Sequence, residues 1–144
     1  MEPARRPDWR YFALGVLVLV LAGVAAAPAY AEDPKGPAYR VDDVSLVYLG
    51  NPRQFKAPCV VNADRVYRAI PEYREILEKN LTDRDVRYHF LLRKASDKFA
   101  AAIRDVSQGG GFDLVGGVGA VSAANAQTPA PPDMTDATIA KLPA

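Results

Sequence analysis

From Asp83 to Ser107 the apolar residues Tyr88, Leu91, Leu92, Ala95, Phe99, Ala102, Ile103 and Val106 recur at steps of three and four, the period of a helix that buries one face. The opposite face carries Arg87, Lys94, Asp97, Arg104 and Asp105, a solvated side. Gly109, Gly110 and Gly111 follow, free to take the positive φ that ends a helix, and Phe112-Asp113-Leu114-Val115 then reads as a strand. Gly116-Gly117 separates that strand from VGAVSA, the place where a tight hairpin turn demands glycine. A phosphate cradle fails on the order of elements. A Walker loop needs Gly-Lys-Ser/Thr leading into a helix, and a dinucleotide fingerprint needs its glycines between a strand and a helix. Here the first glycines leave a helix, and no lysine follows the second group.

Upstream, residues 32–43 are polar and broken by proline and glycine, so they read as a loose leader. VSLVYLG at 44–50 is β-branched and aromatic and ends at Gly50-Asn51-Pro52, which predicts a strand and a turn. A second strand over Ala57 to Val61 runs into Asn62-Ala63-Asp64, a helix start, and Val66, Tyr67 and Ile70 share a face beyond it. Pro71 breaks that helix and opens another, PEYREILEK, with Glu72 and Glu75 near its positive end. The chain is expected to reverse near Asn80, and Thr82 with Asp85 resembles a capping box restarting a helix at Asp83. After Ser122 a proline-alanine connection leads to DMTDATIAKL, a short closing helix with Thr135 as its cap and Ile139 and Leu142 as its apolar stripe.

The first 31 residues read as a cleavable export signal: Arg5, Arg6 and Arg10, then the apolar run Phe12 to Ala27, then the small-x-small site Ala29-Tyr30-Ala31. The run is short for a bilayer crossing, which needs about 20 residues, so an uncleaved anchor is the lesser alternative. Cleavage after Ala31 leaves one small domain with equal numbers of acidic and basic residues, without the basic excess of a nucleic-acid binder. The segment from Asp64 to Arg104 alone is mildly basic. Cys59 is the one cysteine, so no intramolecular disulfide is available, and its place in PCVV suits a small buried strand residue. His89, the one histidine, sits in mid-helix away from Cys59, which leaves neither a hydrolase triad nor a metal-ligand cluster. The expectation is a non-enzymatic protein with no cofactor.

The words CVVNADRVYRAIPEY, FAAAIRDVSQGGGFDLVGGVGAV and DMTDATIAKL, taken in this order, resemble the Skp/OmpH family of periplasmic chaperones. Asp64, Val66, Ile70, Pro71 and Tyr73 match the family's first block. Phe99, Ile103, Val106, Gly111, Phe112, Asp113, Leu114, Val115, Ala120 and Val121 match the second, and Asp133, Met134 and Thr135 the closing motif. The resemblance covers residues 57–79 and 95–142 and implies an α+β fold: a small β-rich trimerisation body with an antiparallel helical-hairpin arm, here shortened to residues 71–107. On it the chain divides into a signal peptide (1–31), an N-terminal extension with an extra strand (32–56) and a Skp/OmpH-like domain (57–144).

By the same resemblance the protein is a homotrimer in the periplasm that shelters unfolded outer-membrane or envelope proteins without ATP. The family's arms are long. With a reversal near Asn80 the outgoing helix of this chain is on the order of 14 Å, too short for three arms to enclose a large client. A structural or adapter subunit of the cell envelope, keeping the trimer body without the client cage, is the alternative. Client contact is expected from the apolar Tyr73, Ile76, Leu77, Tyr88 and Leu91, and from Arg84, Arg87, Arg93, Lys94 and Lys98, which suit anionic segments or anionic lipid head groups. Taken singly, each of these reads better as ordinary coiled-coil core or solvated surface, and the binding role is expected only of the group.

Overall fold

A computed structural model describes residues 37–144, which form one compact unit. The signal segment with Ala29 and Ala31 lies outside the described residues. The elements run β1 (Tyr39–Val41), a 3-10 turn (Val44–Leu46), β2 (Val47–Gly50), β3 (Pro58–Val61), α1 (Ala63–Ala69), α2 (Pro71–Glu78), α3 (Val86–Gly110), β4 (Leu114–Gly117), β5 (Val121–Ala123) and α4 (Thr135–Ala140). The fold is mixed α and β, with small sheets and one long helix, consistent with the α+β class.

β4 is the organising strand. It pairs parallel with β3 and antiparallel with β2, in the order β2-β4-β3. The parallel pair requires a crossover, which α1, α2 and α3 supply. Alternation along the strand sends Val115 to a cluster with Cys59, Val61, Val66, Ile70, Ala95, Phe99 and Ile103, and sends Leu114 to a second cluster with Ala120 and Val121. Tyr39, Val41, Val47, Phe55 and Val60 pack against the second cluster. The three-stranded sheet therefore has helices on one face and the two-stranded β1–β5 ribbon on the other, and all four residues of β4 are buried. A register shift between Val47 and Leu49 lets both Tyr48 and Leu49 pack on the helical side while Val47 packs on the ribbon side.

The pairing corrects the predicted hairpin. Gly116 and Gly117 do not turn the chain; they lie inside β4, and β5 pairs with β1 rather than with β4. A side chain at Gly116 would press on Ala120 and Val121 at 3.2 and 3.3 Å, and one at Gly117 would meet the Tyr48 hydroxyl at 3.0 Å. Crowding from both faces, not a turn, is what these positions ask of glycine. The turn lies one step later, closed by the Ala120 N–H donating to the Gly117 carbonyl at 2.9 Å, with Gly119 at φ 84°.

Other boundaries move for local reasons. The leader is not loose throughout, because residues 39–41 form β1 against residues 121–123. Residues 44–46 leave the predicted strand for a 3-10 turn, since the Asp43 carboxylate accepts from both the backbone N–H and the hydroxyl of Ser45 (2.9 and 2.6 Å). β4 begins at Leu114 rather than Phe112, because the Asp113 carboxylate turns back to accept the N–H groups of Lys56 and Ala57 (2.7 and 2.8 Å). The long helix spans 86–110 rather than 83–107. Asp85 is its cap residue, and its carboxylate accepts from the Thr82 N–H and hydroxyl instead of Thr82 capping the helix. Gly111, at φ 69°, ends it. Thr135 is the first residue of α4, not its cap: its N–H donates to the Asp133 carboxylate, and its Oγ1 accepts from the Asn62 N–H at 2.9 Å.

The starts of α1 and α2 follow their local chemistry. The Asn62 side chain accepts from the Arg65 N–H at 3.2 Å, and Pro71 opens α2 after Ile70. Asn80 takes φ 48° where the chain reverses.

Candidate binding surface

α2 and α3 pack against each other. Glu72 near the start of α2 pairs with Lys98 at 3.0 Å, and Glu75 one turn later pairs with Arg87, nearer the start of α3. Burial works to raise the Glu72 carboxyl, but the Lys98 hydrogen bond, a backbone hydrogen bond and the Lys98 and Lys94 charges outweigh it and hold the group below its ordinary value. Glu75 is likewise lowered, first by the hydrogen bond from Lys79 and then, against some burial, by Arg87. At the base of the pair Tyr67 stacks on Phe99 at 4.8 Å and leans on Tyr73 at 5.3 Å, while Tyr48 meets Phe99 edge-on.

This arrangement divides the ten expected contact residues. Ile76 and Leu91 are 5% and 6% exposed and belong to the packing of the two helices, and Tyr73 belongs to the aromatic group at their base. Arg87 and Lys98 are committed to Glu75 and Glu72. Tyr88 is half-buried with its ring edge-on to His89. Leu77, Arg84, Arg93 and Lys94 stay exposed.

Two residues outside that set matter more. Val86 and Phe90, one turn apart on α3, are 86% and 57% exposed, and the Lys94 ammonium sits 4.6 Å over the Phe90 ring. Leu77, on α2 before the reversal, is 47% exposed, and Arg84, Arg93 and Lys94 are exposed as well. The signal for Val86 and Phe90 was present in the sequence: Val86, Phe90 and Lys94 recur every four residues, off the stripe that runs through Leu91, Ala95 and Phe99.

At the other end, β2 is an edge strand: no strand among the described residues pairs with its outer side. A groove of about 540 Å³ runs beside it, lined by Val47, Tyr48, Leu49, Phe99, Ile103 and Arg104 among others. The corresponding side of β3 is closed, because Val60 donates to the Pro132 carbonyl and accepts from the Met134 N–H (3.0 and 2.9 Å). Cys59 is fully buried, and burial pushes its thiol up to about 11, so it is a protonated, packed side chain at neutral pH.

No family model, curated protein or solved structure matches this chain.

Proposed function

We propose that the protein is an exported, Skp-like envelope protein that assembles as a trimer and holds unfolded outer-membrane or envelope polypeptides, without ATP, at the ends of short helical arms formed by α2 and α3. The observation that carries the reading is the exposed apolar pair Val86 and Phe90 at the start of α3, with the Lys94 ammonium over the Phe90 ring. A side chain such as Phe90, more than half exposed beside a second apolar group, costs solubility unless something covers it, and a mixed apolar and cationic surface suits chains of varied sequence. The trimer rests on the family resemblance. The unpaired outer side of β2 and the apolar groove beside it support it, since an open strand edge is a place for another copy to join.

One observation favours the adapter reading. α2 has eight residues, about 12 Å of helix, which gives three arms little depth. The test dilutes an unfolded outer-membrane protein from urea into a several-fold excess of the purified protein. Suppressed aggregation, lost on Val86→Ser/Phe90→Ser, supports holding; unchanged aggregation leaves the adapter.

A further inference from the structure

Among the described residues β1 has a partner on one side only. Its register with β5, Arg40 opposite Ser122, together with the bonds from Ala124 N–H to the Ala38 carbonyl and from Asp42 N–H to the Ala120 carbonyl (2.9 and 2.8 Å), turns the backbone groups of residues 38, 40 and 42 toward β5. The N–H and C=O groups of Tyr39 and Val41 therefore face the other way, and they find no backbone partner among the described residues. A cavity of about 790 Å³ lies along this strand, within the range of about 300–1,000 Å³ usual for ligand sites. Its lining includes every residue from Pro37 to Val41. A face would show alternate residues, so the cavity follows the strand's edge.

The opposite wall is residues 52–56 with Asp113. Both Asp113 carboxylate oxygens are already occupied by the N–H groups of Lys56 and Ala57. Arg40 is turned to Asp42 and Ser122, at 2.9 and 3.1 Å. Arg53 and Lys56 enter no ion pair among the described residues. The cleft thus combines a free strand edge, two uncommitted cations, and Tyr39 and Phe55 as apolar surface.

We propose that this cleft binds an extended acidic peptide as an added strand on β1, its backbone bonded to Tyr39 and Val41 and its carboxylates held by Arg53 and Lys56. Strand addition of this kind takes affinity from main-chain hydrogen bonds and selectivity from the alternate side chains. Charge complementarity selects the occupant: glutamate or aspartate alternating with apolar residues. The site lies on β1 and the 52–56 loop, not on the helix pair, so it stands apart from the holding reading; the titration below uses no unfolded client and fails separately from it.

The test titrates the purified protein into a fluorescein-labelled hexapeptide of alternating valine and glutamate and reads anisotropy. Saturable binding is expected, weakening as salt rises and falling at least tenfold in Arg53→Glu/Lys56→Glu. Two N-methylated versions of the peptide, blocking alternate amides, require no protein variant: one register should abolish binding and the other should keep it. The proposal is overturned by no binding at millimolar peptide, by equal binding of a valine-lysine hexapeptide, by a double variant that binds as wild type does, or by indifference to the methylation register.

Discussion

Glycine positions that look alike in the sequence differ sharply in what they tolerate. Gly50, at φ 99°, has the Asp113 carbonyl oxygen 2.2 Å from where a Cβ would sit, and that backbone atom, next to the Gly50–Leu114 pair, cannot swing away. Gly50→Ala is expected to lower unfolding free energy by roughly 2–3 kcal/mol, read from urea midpoints. Gly109, inside α3 with nothing near its Cβ position, should do the reverse: Gly109→Ala stabilises by about 0.5–1 kcal/mol by removing the entropy glycine loses in a helix. Cys59 offers a third check at this scale. A buried thiol pushed up to about 11 should resist a maleimide in the folded protein and react promptly in denaturant, and Cys59→Ser should cost about 1–3 kcal/mol for an unpaired hydroxyl in an apolar cluster.

At the scale of elements, what the sequence discloses depends on whether the causes are near or far along the chain. Pro71 opening α2, Asn62 capping α1 and Gly111 ending α3 act within one turn of themselves, and all three are legible in the residues around them. β1 is not, because three residues become a strand only through a partner about eighty positions away. The role of Gly117 depends on Tyr48, about seventy positions earlier, which no local window contains. The contact surface was half legible for a related reason. Periodicity identifies α3, but Ile76 and Leu91 are hidden by each other's helices, and the exposed Val86 and Phe90 stand off the stripe that periodicity selects.

The α2–α3 pair also has a pH dependence whose sign is fixed by its carboxylates. Glu72 and Glu75 are both held below their ordinary values in the fold, so their contribution is fully present above the unfolded carboxylate pKa of about 4.3 and is lost as pH falls through the lowered folded values. Circular dichroism at 222 nm in thermal melts should give midpoints that drop on acidification below pH 4. Glu72→Gln, which removes the charge facing Lys98, should flatten that drop.

For the whole molecule, the described unit buries one apolar cluster on each face of its three-stranded sheet yet leaves β2 open beside an apolar groove and exposes Val44 and Leu46 just before it. A small chain without a disulfide gains most from covering such an edge with a copy of itself. The central claim is that copies do so. Light scattering coupled to size exclusion, run on the purified protein across a hundredfold range of micromolar concentration, tests it most directly. The mass of three chains is expected; a folded protein that keeps the mass of one chain throughout rules the trimer out.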